Sequence, residues 1–165
     1  LFNNAGIVLH KSAYDVTPVE WAKVINVNLN GEYYMASEFA RYLKGKGKKG
    51  AICNTASMSG HIVNWPQEQA SYNASKAAVI QMTKSLAVEY CKDGIRVNCI
   101  SPGYMYTELT CHVNPDWQER WMDLTPYGRY GTPDELCGAV IYLLSDSASF
   151  TSGTDIIVDG CFTCV

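Results

Sequence analysis

The chain has 165 residues, of which 47% are hydrophobic and 18% are charged, and its formal net charge is −3. This composition is typical of one globular domain or a large part of one. The absence of a basic excess argues against nucleic acid as a partner. No apolar run reaches the roughly 20 residues that a membrane span requires, so no membrane association is expected.

The first long element is predicted to be a helix over residues 18–44. Thr17, Pro18 and Glu20 fit the N-cap, N1 and N3 positions of a capping box, which predicts the helix start. Asn28 is one of the residues expected on its inward face. Taken without further context, Asn28 is interpreted as an amide that satisfies a nearby backbone group.

Apolar strands and helices alternate along the rest of the chain. The predicted strands are Ala51–Ala56, Ile95–Ile100 and Asp155–Asp159. The predicted helices are 68–92, short ones within 107–124, and one from Thr132 to about Ser145. This alternation implies right-handed βαβ crossovers and an α/β fold with a Rossmann-like, doubly wound parallel sheet.

Polar or glycine-containing turns follow three of the apolar strands. They are Asn4-Ala5-Gly6, Ser57 and Pro102-Gly103. Ligands bind doubly wound sheets beyond the carboxyl ends of the strands. We therefore expect these turns to meet at one edge of the sheet and to form a site there.

Tyr72 and Lys76 carry the clearest chemical signal. They are spaced i,i+4 within the predicted helix 68–92, which places both side chains on one face, a turn apart. A cation beside a phenol is expected to lower its pKa from about 10, which suits a general acid/base. The alternative is a pair of ordinary helix-surface residues, because a bare YxxxK pattern is weak. With a serine hydroxyl nearby, the pair suits proton transfer at an alcohol or carbonyl, the companion of a hydride transfer.

Five motifs in order give the pattern a family context. They are Asn3-Asn4-Ala5-Gly6, Asn26-Val27-Asn28-Leu29, Ser57-Met58-Ser59-Gly60, Tyr72-Asn73-Ala74-Ser75-Lys76, and Ser101-Pro102-Gly103 with Thr107. In this order they resemble the short-chain dehydrogenase/reductase family, over the whole stretch from Asn3 to Gly160.

The resemblance implies roles for individual residues. Tyr72 would be the catalytic acid/base, Lys76 would hold the ribose hydroxyls of NAD or NADP, and Ser57 would orient the substrate oxygen. Asn28 would bind a water that links Lys76 to solvent. The remaining cofactor contacts would come from Asn4, Ala5, Gly6, Pro102, Gly103 and Thr107, with Gly103 letting the backbone approach the nicotinamide.

The resemblance also implies a missing part. Members of the family usually begin with a strand and a glycine-rich phosphate-binding turn, and nothing here matches either. Residues 1–165 are therefore expected to be one partial Rossmann-type dehydrogenase domain that lacks its N-terminal glycine-rich segment and is inactive alone. The residue that would select NAD or NADP is not identified.

The substrate is indicated by the stretch from Gly60 to Tyr72. It resembles polyol dehydrogenases and ketose reductases of the mannitol, arabinitol, sorbose and xylulose type. Asn64, Gln67 and His61 would supply hydrogen-bonding groups for a polyhydroxylated substrate, with Tyr104 beside them. The alternative is that these polar groups only cap the loop.

Two other functions stay open at this point. Trp117, Trp121, Tyr104 and Tyr106 add aromatic surface, which would also suit a 3-oxoacyl or steroid-type carbonyl reductase. A catalytically silent dehydrogenase-like subunit is the alternative from another class.

Cysteine usage and the two long helices complete the expectations. The chain has seven cysteines without regular spacing, which argues against a disulfide framework or a metal site and for a reducing, cytoplasmic compartment. The family resemblance implies that helices 18–44 and 68–92 pair with their copies in a homodimer or homotetramer.

Overall fold

The computed structural model describes residues 1–165, built around a four-stranded parallel sheet. The strands are β1 (Phe2–Asn3), β2 (Gly50–Thr55), β3 (Ile95–Pro102) and β4 (Asp155–Val158), and they lie side by side in chain order. Every neighbouring pair is parallel. The predicted parallel α/β architecture is confirmed. The strand order does not reverse among these four strands, so the reversal that defines a doubly wound sheet is not seen among them.

Helices cover both faces of the sheet. The main ones are α1 (Pro18–Ile25), α2 (Glu32–Gly45), α3 (Ala70–Tyr90) and α6 (Asp134–Leu144), with the shorter α4 (Glu108–Cys111) and α5 (Pro115–Leu124) between α3 and α6. Successive strand residues point to opposite faces. Ile52 packs with α2 and α3 on one face, whereas Cys53 packs against Leu143 of α6 on the other. The chain thus buries a core on each side of the sheet.

The helix predicted over 18–44 forms, but with an interruption. The capping box is confirmed, because Thr17 Oγ1 accepts from the Glu20 amide and the Glu20 carboxylate accepts from the Thr17 amide. Between α1 and α2, Asn26–Gly31 winds as a π-helix. A π segment inside an α-helix rotates the side chains that follow it and is frequent at functional sites. Asn28 lies within it and is fully buried.

The other predicted elements agree with the structure to within a few residues. β2 begins one residue earlier than expected, and β3 continues to Pro102. α6 begins at Asp134, two residues after the predicted start at Thr132, and the Thr132 amide donates to Glu135 Oε2 over 2.8 Å. No helix combines the length and the apolar character that crossing a bilayer requires.

Candidate active site

A cavity of about 340 Å³ opens at the carboxyl edge of the sheet. The turns after β1, β2 and β3 all reach it, through Gly6, Ser57 and Gly103 respectively. The predicted convergence of three turns on one edge is therefore observed. The other predicted residues that line the cavity are Asn4, Asn64, Gln67, Tyr72, Lys76, Pro102, Tyr104 and Thr107, whereas Ala5, Asn28 and His61 do not line it.

Ser57 enters the cavity from a short 3-10 turn formed by Met58–Gly60. Its Oγ accepts a hydrogen bond from the Ser59 amide over 3.1 Å, which caps that turn. Gly60 closes it against α3. A Cβ on Gly60 would lie 2.9 Å from the backbone of both Lys76 and Ala77. The absence of a side chain at Gly60 therefore lets the serine-bearing turn pack directly on the helix that carries Tyr72 and Lys76.

Tyr72 and Lys76 lie one turn apart on α3, as their spacing predicts. The Lys76 ammonium is 5.9 Å from the centre of the Tyr72 ring. It donates a hydrogen bond to the Thr55 carbonyl at the end of β2. Lys76 is only 2% exposed, so its charge sits at the bottom of the cavity.

The expected fall in the pKa of Tyr72 is wrong. Tyr72 keeps partial exposure toward the cavity, yet its phenol is enclosed deeply enough that burial raises its pKa, because burial disfavours the phenolate. The Ser57 side chain partly offsets this rise, and the Glu32 carboxylate adds to it. The ammonium of Lys76 is directed to Thr55 and Glu32 instead. In this structure the phenol is therefore a proton donor at neutral pH.

Glu32 is a residue of the site that the sequence reasoning missed. Its Oε1 is 3.6 Å from Lys76 Nζ, and the two side chains are only 2% and 3% exposed. Burial raises the pKa of Glu32 to about 7, against the attraction of Lys76, and burial also lowers the pKa of Lys76. One signal in the sequence points to Glu32. It follows Asn28 by four residues, which places it on the same inward face of the predicted helix 18–44.

Asn28 uses its side chain to hold the segment that follows Gly6. Its Oδ1 accepts from the Ile7 amide over 2.8 Å, and its Nδ2 donates to the Ile7 carbonyl over 2.9 Å. Nδ2 also donates to Ser75 Oγ on α3, over 3.0 Å. The amide of Asn28 thus satisfies backbone groups, in agreement with the interpretation made without the family context. The water-binding role of Asn28 stays a prediction.

The loop before α3 places two amide side chains against the hydroxyl of Tyr104, which follows β3. Asn64 Nδ2 and Gln67 Nε2 both donate to the Tyr104 hydroxyl oxygen, over 3.1 and 2.8 Å. Gln67 Oε1 in turn accepts from Trp121 Nε1 over 2.9 Å, and the Tyr104 ring stacks on Trp121 with ring centres 4.2 Å apart. The two amides therefore hold the loop, as the loop-capping alternative expected, and they also line the cavity.

Tyr104 keeps one free hydrogen-bonding function in this network. Its oxygen already accepts two hydrogen bonds, so its remaining function is to donate its own proton. Burial raises the pKa of Tyr104 to about 12, which keeps that proton in place. The hydroxyl of Tyr104 is therefore a fixed donor at the wall of the cavity.

The structure does not bear out the expectation that His61 supplies a hydrogen-bonding group for the substrate, because His61 does not line the cavity. His61 Nε2 is 2.6 Å from Asp155 Oδ2 and 3.3 Å from Ser101 Oγ. Ser101 Oγ also donates to Asp155 Oδ2 over 2.7 Å. The carboxylate attracts the imidazole to the sheet, so His61 fastens the segment after Gly60 to β3 and β4.

The glycines test whether a nicotinamide cofactor fits this edge. A Cβ on Gly6 would lie 3.6 Å from Lys76 Nζ and from Asn28 Oδ1, so Gly6 leaves the backbone bare beside the ammonium. A bare backbone edge next to a buried cation fits the hydroxyls of a ribose. Gly103 has a different explanation, because its Cβ would lie 2.7 Å from Asp159 Cα. Close packing of the strand ends thus already requires glycine there, and its predicted approach to the nicotinamide stays a prediction.

Known proteins match almost the whole chain. A family model described as "Enoyl-(Acyl carrier protein) reductase" matches residues 1–163. The sorbose reductase sou1 of Schizosaccharomyces pombe is 49% identical over 158 residues, which are 95% of this chain and 61% of that protein. A probable NADP-dependent mannitol dehydrogenase of Yarrowia lipolytica is 50% identical over 145 residues, covering 88% of this chain and 51% of that protein.

The fold also matches solved structures closely. A short-chain type dehydrogenase/reductase from Mycobacterium marinum superimposes with a TM-score of 0.97 at 42% sequence identity. The match covers 99% of this chain and 64% of that structure. The chain thus spans between about half and two thirds of the length of these three proteins.

Proposed function

The chain belongs to the short-chain dehydrogenase/reductase family, and from that premise we propose that the whole protein is an oxidoreductase for a sugar alcohol and its ketose, with NAD or NADP as cofactor. The observation that carries the proposal is the meeting of Ser57, Tyr72 and Lys76 at one cavity at the carboxyl edge of the sheet. Two relatives that are 49% and 50% identical to the chain are named as a sorbose reductase and a probable NADP-dependent mannitol dehydrogenase.

The residues of the cavity divide the chemistry between them. A bound nicotinamide would supply or accept the hydride. Tyr72, protonated at neutral pH because burial raises its pKa, gives its proton to the substrate oxygen during ketose reduction and takes it back during alcohol oxidation. Ser57 donates to the same oxygen and orients it. Lys76 and the bare backbone at Gly6 would hold the ribose hydroxyls, with Asn4, Ala5, Pro102, Gly103 and Thr107 as the proposed further contacts.

A polyhydroxylated substrate suits the polar wall of the cavity. The Tyr104 hydroxyl donates from a fixed position, because Asn64 and Gln67 hold its oxygen. A substrate hydroxyl that accepts this hydrogen bond takes the place of water without any loss of hydrogen bonding. An apolar substrate would leave the Tyr104 donor unpaired. We therefore assign Tyr104 as the direct substrate contact, with Asn64 and Gln67 acting mainly through it.

One observation favours a second function, reduction of a 3-oxoacyl thioester. The stacked Tyr104 and Trp121 rings give the cavity an apolar wall, and the matching family model is described by the name of an acyl-carrier reductase. The polar contacts around Tyr104 weigh against it. A catalytically silent subunit has no observation in its favour, because serine, tyrosine and lysine all face the cavity.

The assembly and its compartment are part of the proposal. Exposed apolar side chains lie on α2 and α3, among them Tyr34, Met35 and Val88. Such side chains are usually covered in an assembly, so we propose a homodimer or homotetramer paired through these helices.

The seven unpaired cysteines suit the reducing cytoplasm. Residues 1–165 would be the substrate-binding part of a single Rossmann-type domain.

A substrate panel on the purified whole protein tests the function. Oxidation of NADPH and NADH is followed with sorbose, with other ketoses and with an acetoacetyl thioester. We expect kcat/KM for the best ketose to exceed that for the thioester by at least about 10²-fold, the discrimination that unpaired buried polar groups supply. A preference for the thioester would establish the second function instead. Cofactor binding without turnover of any carbonyl would indicate the silent subunit.

A further inference from the structure

Glu32 is a buried acid that the proposed reaction does not use. It is the first residue of α2, immediately after the π segment that carries Asn28. Its residue exposure is 3%, and neither carboxylate oxygen accepts a hydrogen bond. Its backbone carbonyl accepts from Asn3 Nδ2 over 3.1 Å, which fixes the start of α2 against β1. A carboxylate buried in this way is costly unless an opposite charge lies beside it.

Lys76 supplies that charge. Its Nζ is 3.6 Å from Glu32 Oε1, slightly beyond hydrogen-bond distance but well within the range of a strong ionic attraction. Lys76 Nζ also donates to the Thr55 carbonyl. The ammonium of Lys76 therefore lies between the Glu32 carboxylate at the start of α2 and the Thr55 carbonyl at the end of β2. Lys76 still lines the cavity. Both partners are buried, so water screens their attraction little.

The other titratable groups that face Glu32 are few. From α3, besides Lys76, the Tyr72 phenol responds to the carboxylate, and from β2 the Cys53 thiol does so. In both cases the negative charge of Glu32 raises the pKa of the group. The neighbouring Asn3 and Asn28 are neutral. A change in the charge of Glu32 therefore acts on the lysine that would hold the ribose and on the tyrosine that would transfer the proton.

We propose that Glu32 is a positioning residue of the active site: its carboxylate is the buried counter-ion that holds the Lys76 ammonium and opposes formation of the Tyr72 phenolate. This inference rests on the proposed function for the roles of Lys76 and Tyr72. Through Glu32, the proton transfer by Tyr72 depends also on the titration of a second group, the Glu32 carboxyl. At low pH Glu32 is protonated and Lys76 has no negative partner, whereas at higher pH the ion pair between Glu32 and Lys76 is complete.

The test uses Glu32→Gln in the whole protein, with two measurements. In the first, unfolding by urea is followed without cofactor at about pH 5 and about pH 8. Because burial raises the pKa of Glu32 from 4.5 to about 7, the stability that its protonated form contributes is lost as pH rises through neutrality. We expect the unfolding equilibrium constant of the wild type to rise relative to that of Glu32→Gln by roughly 10²-fold between the two pH values.

The second measurement is the pH profile of kcat for alcohol oxidation. Removing the negative charge lowers the pKa of Tyr72, so the profile of Glu32→Gln should move to lower pH. The expected shift is on the order of 1 pH unit, because a like charge in the same buried site opposes ionisation of the phenol. Glu32→Asp should restore the wild-type profile in part. Glu38→Gln is the matched control, because Glu38 lies on the same helix with its side chain 68% exposed, and it should change neither readout.

The proposal requires both effects. An unchanged pH dependence of unfolding would show that Glu32 is not a buried acid, and an unchanged kinetic profile would show that it does not act on the site. Either result overturns the proposal. If Glu32→Gln does not fold, Glu32→Val is measured in the same two ways. A wild type that unfolds with the expected pH dependence but turns over no polyol would contradict the proposed function, and not the buried pair.

Discussion

Gly60→Ala should separate the two halves of the proposed catalytic site. The added Cβ would lie 2.9 Å from backbone atoms of Lys76 and Ala77, and 2.8 Å from Ile80 Cδ1. The Ile80 side chain has freedom to move, but the backbone of α3 does not. Since carbon contacts are optimal at about 3.5–4.0 Å, the 3-10 turn must retreat by roughly half an ångström or more. That turn carries Ser57, whereas α3 carries Tyr72.

The expected cost follows from this displacement. Overpacking of a well-filled core typically costs about 1–3 kcal/mol of unfolding free energy. A misplacement of about 1 Å in a catalytic group costs on the order of 10²-fold in rate. We therefore expect Gly60→Ala in the whole protein to lose about ten- to a hundredfold in kcat while it remains folded at 25 °C.

The assay compares kcat for ketose reduction with urea unfolding of the same samples. Gly45→Ala is the control, because Gly45 is the last residue of α2 and a Cβ there has nothing within 4 Å. It should leave kcat unchanged and should slightly raise stability, since alanine is favoured over glycine in a helix. A Gly60→Ala enzyme with kcat within about twofold of wild type would refute the claim that this contact places Ser57.

Three further predictions concern the same protein. Because burial raises the pKa of Tyr72, the rate of alcohol oxidation should still be rising with pH at about pH 10, the ordinary pKa of tyrosine; a plateau by neutral pH would contradict this. Tyr104→Phe should raise KM for ketoses by about fivefold to tenfold with little change in kcat, since one hydrogen bond contributes about 1 kcal/mol; an unchanged KM would remove Tyr104 from the substrate site. Ala78→Glu, on the half-buried side of α3, should dissociate the oligomer in light scattering; a monomeric wild type would exclude the assembly.

Local signals in the sequence predicted the elements well. The capping box at Thr17 depends only on residues three positions apart, and it forms as expected. The parallel strands follow from their apolar runs and from the helices between them. The π segment was not predictable in this way, because Asn28 pairs with Ile7 and Ser75, which are distant in the chain.

The electrostatics of the site could not be obtained from spacing. The i,i+4 pattern places Lys76 near Tyr72, but the sign of the pKa shift depends on how deeply the phenol is enclosed and on where the ammonium points. Glu32 attracts the ammonium and adds to the rise in the pKa of Tyr72. Its burial depends on the packing of α2 against β1 and α3. His61 shows the same limit, since only the fold brings it to Asp155.

The most direct test of the central claim is turnover of a ketose by the whole protein with Tyr72→Phe. This substitution removes the titrating hydroxyl and keeps the ring. We expect kcat to fall by about 10²–10⁴-fold, the usual contribution of a general acid, while the dissociation constant of the nicotinamide cofactor and the unfolding transition stay close to those of wild type. A Tyr72→Phe enzyme that reduces the ketose at a near-normal rate would contradict the account.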